Sequence, residues 1–167
     1  MPADWMKELA NFETVLNELT AAVESLVSHE EQKYDALKQI DVKKLMELNS
    51  EEEILMQQLD GRDKKRAVLI NRMAREFGIE PSAPLSELIT QFPLEMQERF
   101  HELRRKIKRL STKLETAVRE NSRLIQNNLN IINFTLNFAN RGAVTETYNY
   151  RERGEGHKNL HIVNRIA

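Results

Sequence analysis

The chain has 167 residues, of which 31% are charged and 40% apolar, with five Gly, four Pro and no Cys. Such a length supports one hydrophobic core, and the scarcity of turn residues favours long helices over a β-rich fold. Disulfides and thiolate metal sites are excluded, no apolar run approaches the ~20 residues of a membrane span, and a net charge of −1 gives no whole-chain field that selects nucleic acid.

The N-terminal segment MPADWMKELANFE lacks a basic stretch followed by an apolar block, so a cytoplasmic protein is expected. Residues 4–39 read as a first helix with Asp4 as its N-cap. Trp5, Leu9, Phe12, Leu16, Leu19, Val23 and Leu26 recur at spacings of four and three, and Trp5 reads as a core anchor. The seam then fails, because Glu30 and Lys33 occupy its next two slots and only Val27, Tyr34 and Leu37 remain apolar nearby. The first helix therefore has a strong front half and a weak rear half.

Asp41 is placed to cap a second helix that reaches Phe77, with Gly78 as its C-terminal stop. Its seam of Leu45, Leu48, Leu55, Leu59, Leu69, Met73 and Phe77 is interrupted by Glu52, Arg62 and Arg66. Gly61 lowers helix propensity by about 1 kcal/mol relative to Ala. Ser50 with Glu53 fits a capping box, which offers a break near Asn49 as the alternative to one continuous helix. Residues 78–93 hold three of the four prolines, and Leu85, Leu88, Ile89 and Phe92 suggest a short helix within this connection.

The spacing predicts a final helix over 93–140, with Pro93 as its first residue and a length of roughly 70 Å. Its early seam is narrow: Met96, Phe100, Leu103, Ile107, Leu110, Leu114 and Ala117. From Leu124 onward the pattern widens, and Leu124, Ile125, Leu129, Ile131, Ile132, Leu136 and Phe138 spread over roughly half the circumference. Asn130, Asn133, Asn137 and Asn140 line the opposite side, while Asn121 and Asn128 interrupt the seam itself. Two readings of those seam asparagines remain: buried groups that fix register, or exposed groups that bond a partner's backbone. Beyond Gly142 the pattern stops, and residues 141–167 read as a mobile tail.

The expected architecture is all-α. It is an elongated antiparallel bundle of three long helices with a short extra helix in the second connection and a flexible C-terminal tail. The domains are residues 1–140 and 141–167. Residues 1–40 hold eight acids against three lysines, whereas residues 81–140 hold nine bases against six acids, as suits neighbouring helices. In an up–down–up arrangement the far end of the last helix lies beside the weak rear of the first and the charged front of the second (Glu51, Glu52, Glu53). About ten residues of it overhang. An apolar face left uncovered there marks a binding surface. The alternative is that the face is covered by the chain's own loops or by a second copy in a homo-oligomeric coiled-coil scaffold or adaptor.

No other motif carries chemistry. Arg104, Arg105, Lys106, Lys108 and Arg109 flank seam positions and read as a solvated face that pairs with the acidic first helix, not as a phosphate site. Glu98 and His101 form a single E-x-x-H where a di-iron bundle needs two. His157 and His161 have H-x-x-x-H spacing, but Lys158 stands where a zinc protease needs its Glu. No enzyme activity, metal or cofactor is expected. Tyr148 and Tyr150, in TETYNYRERG, are aromatics in a polar tail; they either anchor a partner or pack back on the helices.

The helix end ENSRLIQNNLNIINFTLNF followed by TETYNYRERG resembles the FlgN family of flagellar export chaperones. The first segment is similar to that family's closing amphipathic helix, and the second to its threonine-tyrosine–glycine tail element. Asn149 departs from the pattern, since the family commonly has Gly after the Tyr; either Tyr148 or Tyr150 is then the equivalent residue. The resemblance implies a cytoplasmic, non-enzymatic chaperone of type III (flagellar) export, monomeric or weakly dimeric, without nucleic-acid or membrane partners. Its clients would be the hook–filament junction proteins (flagellar hook-associated proteins), docked on Leu124, Ile125, Leu129, Ile131, Ile132, Leu136 and Phe138. Tyr148 or Tyr150 would contact the export gate of the secretion apparatus.

Overall fold

A computed structural model describes residues 3–139, with side chains at 5–137. The described residues form an all-helical fold of four helices: α1 (Ala3–Gln39), α2 (Val42–Phe77), α3 (Leu85–Ile89) and α4 (Leu94–Ala139). Asp4, expected as an N-cap, lies inside α1, which begins one residue earlier. Pro93 likewise precedes α4 instead of opening it, and its carbonyl accepts the first helical bonds from the Met96 and Gln97 amides. Both corrections are shifts of a single turn position, the scale on which helix ends fray.

The ends of α1 and α2 use the same device with different residues. At Gly78 a left-handed residue (φ 68°) turns the chain, with the Ile79 amide bonded to the Ala74 carbonyl at 2.8 Å. At the end of α1 the left-handed residue is Ile40 (φ 53°), with the Asp41 amide bonded to the Ala36 carbonyl at 3.0 Å. A β-branched side chain in that conformation costs about 1–2 kcal/mol, whereas Gly bears no such penalty. Asp41 then caps α2, its carboxylate accepting from the Lys44 amide at 3.0 Å.

The second helix runs unbroken through Asn49 and Gly61. Ser50 does not cap a new helix; its hydroxyl donates to the Met46 carbonyl one turn back. Leu48 and Leu59, both buried, lie on either side of the alternative break point, and their burial favours the continuous helix over the local capping signal. Gly61 is exposed and has open space around it, so it only lowers propensity.

Ion pairs give the directions of the helices. Glu8 meets Arg72 and Lys33 meets Glu52, so α1 and α2 are antiparallel. Glu13, Glu24 and Glu31 meet Arg99, Lys106 and Lys113 in ascending order, so α1 and α4 run parallel. The acidic first helix and basic last helix are thus neighbours. α1 packs along both α2 and α4, whereas the backbones of α2 and α4 scarcely approach each other.

The apolar core is concentrated at the front of α1. Phe12 stacks on Phe100 at 5.6 Å between ring centroids, and Phe92 meets Phe100 edge-on at 4.9 Å. Leu85, Leu88 and Ile89 of α3 join this cluster, and Trp5 lies 4.5 Å from Phe77. Each such buried large side chain contributes about 1.5–3 kcal/mol. Toward the rear, the charged slots of the two seams meet each other. Lys33 of α1 pairs there with Glu52 of α2. Nearer the other end of the α1–α2 contact, the buried Arg66 is held within α2 by Asp63 at 2.8 Å.

Candidate binding surface

The final helix changes character along its length. Phe100, Ile107 and Leu114 are buried, and the α1-facing seam between them is apolar. The next seam positions are asparagines, and both reach across to α1. The Asn121 amide donates to the Glu30 backbone carbonyl at 2.9 Å and to the Glu30 carboxylate at 2.6 Å. The Asn128 amide donates to the Leu37 carbonyl at 3.0 Å, in the last turn of α1, where that carbonyl also receives the Ile40 amide at 3.3 Å. The two asparagines are therefore register devices, which decides between the two readings of them.

Glu30 is almost fully buried. Desolvation pushes its carboxyl above the ordinary carboxylate range; the Asn121 hydrogen bond and the Lys33 charge oppose this, and the Glu52 carboxylate adds to it. A polar joint therefore replaces the phenylalanine core at this end, and it is selective in register more than adhesive.

Both asparagine contacts join residues 91 apart. The same offset places Asn130 beside Gln39, the last residue of α1. Residues 131–139 then project past α1 by about 13 Å at the helical rise of 1.5 Å per residue. α2 leaves this end in the opposite direction, on α1's other flank.

Among the described residues, the apolar side chains around this projection are largely uncovered. Leu124 is half-buried, and Ile125, Leu129, Ile131, Ile132 and Leu136 are exposed, from 40% at Ile125 to 59% at Ile131. Ile125, Leu129, Ile132 and Leu136 follow spacings of four, three and four, and form one continuous stripe. Leu124 and Ile131, a heptad apart, lie on the other flank of the same broad face. Phe134, 71% exposed, extends that flank. Sequence reasoning left Phe134 out of the site, although its place three residues after Ile131 put it on that flank. The side chain of Phe138, and Tyr148 and Tyr150 with the rest of 141–167, lie outside the described residues.

The other motifs have structural partners. Glu98 accepts from Arg105 at 2.7 Å, and that guanidinium holds its carboxyl below the ordinary range. Lys106 bridges to Glu24 at 2.9 Å, so part of the basic run is spent on α1. Among the described residues no helix is long and apolar enough to cross a membrane.

A family model described as FlgN protein matches residues 6–157, nearly the whole chain. No curated protein and no solved structure matches it.

Proposed function

The chain belongs to the FlgN family of flagellar export chaperones, and from that premise we propose that it captures hook–filament junction proteins on the uncovered face of α4. The observation that carries this reading is the projecting end of α4, apolar on a broad face with no cover from α1 or α2. A helix with such a stripe is satisfied by laying it against an amphipathic helix of a partner. The docking residues are Leu124, Ile125, Leu129, Ile131, Ile132, Leu136 and Phe138, with Phe134 added. The polar joint at Asn121 and Asn128 supports the same reading, since it spaces α4 along α1 without using up its aliphatics.

In this reading the protein is cytoplasmic, binds without catalysis, and is a monomer or weak homodimer. Residues 1–140 form an elongated bundle of three long helices, and residues 141–167 form a tail. Tyr148 or Tyr150 presents the loaded chaperone to the export gate. The test is co-expression with the hook–filament junction proteins of the same organism, with the full chain and with a chain ending at Asn130. Co-purification with the full chain alone supports the reading. Retention by the shortened chain overturns the assignment of the face, and a stable dimer that excludes the junction protein favours the scaffold alternative.

A further inference from the structure

From Leu124 to Ala139 the final helix carries no charged residue, whereas fourteen of the thirty residues from Leu94 to Arg123 are charged. In a chain that is 31% charged, the change falls where the α1–α4 contact runs out and the apolar stripe opens to solvent. Exposed helix faces ordinarily carry charged side chains such as Lys and Glu; here Asn, Gln and Thr take their place.

The positions beside the stripe are the informative ones. Ile125, Leu129, Ile132 and Leu136 hold the a and d places of two heptads, so Gln126 and Asn133 flank them on one side and Asn128 and Thr135 on the other. When two helices pair along such a seam these flanks meet the partner, and they often carry Glu and Lys whose charges choose it. Gln126, Asn133 and Thr135 are exposed, and among the described residues none of them bonds to another helix. The Gln126 amide donates to Asn130 at 3.1 Å, and the Thr135 hydroxyl to the Ile131 carbonyl at 2.9 Å. Asn128 is the flank residue spent on α1.

A side-chain amide both donates and accepts, and a hydroxyl does the same. A partner flank of Asn, Gln, Ser or Thr is therefore matched here in either sense of the bond. A charged flank would give up part of its hydration and meet no opposite charge. We infer that the client helix is uncharged beside its apolar seam, and that the chaperone selects it by that neutrality, rejecting helices edged with Lys and Glu. The inference rests on the client-docking reading above, to which it adds the chemistry of the partner's flanks. A second copy of α4 has the same uncharged character and is the competing occupant.

Two variants of the full chain read the sign of the partner's flank. Gln126→Glu with Asn133→Asp makes the chaperone's flank acidic, and Gln126→Lys with Asn133→Lys makes it basic. Both positions are exposed, so the melting temperature should not move. In titration calorimetry with a hook–filament junction protein of the same organism, both variants should bind more weakly, by about 10-fold. Wild-type affinity should change less than about 2-fold between about 0.05 and 0.5 M salt, because no paired charge is there to be screened. Tighter binding by either variant, unchanged binding by both, or a steep salt dependence overturns the inference. So does a wild-type dimer in sedimentation that the junction protein fails to dissociate, which makes a second copy the occupant. Ile132→Asp separates the two readings. If it binds normally, the docking face is wrong and the inference falls with it; if it loses the client while both charged variants bind normally, the face stands and the neutral flank alone falls.

Discussion

Ile132 lies in the middle of the uncovered stripe and is 46% exposed. Full burial of a large aliphatic contributes about 1.5–3 kcal/mol, so covering the exposed half of Ile132 contributes about 0.7–1.5 kcal/mol. The four residues of the stripe together offer about 3–6 kcal/mol, a large part of a micromolar association. Ile132→Asp removes one share and sets a carboxylate into an apolar contact, where desolvation adds several kcal/mol unless the complex opens. A total loss of about 3 kcal/mol or more corresponds to at least ~100-fold in Kd. Stability should change little, because residue 132 lies past the end of α1 and touches none of the apolar core. Calorimetric titration of the junction protein, with far-UV dichroism and melting of the free variant, reads both quantities. Affinity within threefold of wild type in a folded variant would refute the reasoning. So would a collapse of helicity, because it would place Ile132 in the fold's interior.

Glu30→Gln should stabilise the protein at neutral pH. The folded state raises the Glu30 value, so its contribution is intact below the ordinary carboxylate range and is lost as pH rises through the raised value. Gln keeps the acceptor for Asn121 without the charge; the advantage should appear in urea melts at pH 7.5 and vanish at pH 4, and a pH-independent difference would count against the burial argument. Ile40→Gly should raise stability by about 1 kcal/mol, because it removes a β-branched residue from a left-handed position, and a lower denaturation midpoint would contradict that assignment. Tyr148→Ala combined with Tyr150→Ala should leave client affinity unchanged while export of the client falls; loss of affinity would move these tyrosines into the docking site.

Much of the fold is legible in local chemistry. Asp41 and Gly78 bracket α2 because an Asx cap and a left-handed Gly act within a few residues. The failing seam at Glu30 and Lys33 is legible too, as is its consequence for what α4 can bury. Other features depend on partners far away in sequence. Ser50 and Glu53 suggest a cap only while Leu48 and Leu59 are viewed apart from α1. Asn121 and Asn128 are ambiguous until the 91-residue offset brings Glu30 and Leu37 to them. Phe134 is a different case: three residues after Ile131 it extends the outer flank of the face, at the margin farthest from the seam, where the heptad pattern alone does not point to it.

The contrast between the two halves of the α1–α4 contact has a kinetic corollary. Phenylalanines clamp the beginning of α4, whereas two amide hydrogen bonds hold its later part and, among the described residues, nothing clasps its last turns. Opening should therefore proceed like a zip from the free end, since local unfolding starts where few apolar contacts oppose it. Deuterium uptake should fall steeply from Ala139 back to Leu114, with a step at each asparagine. On the docking proposed above, such a grading would let the last turns loosen around a client while the phenylalanine end stays shut.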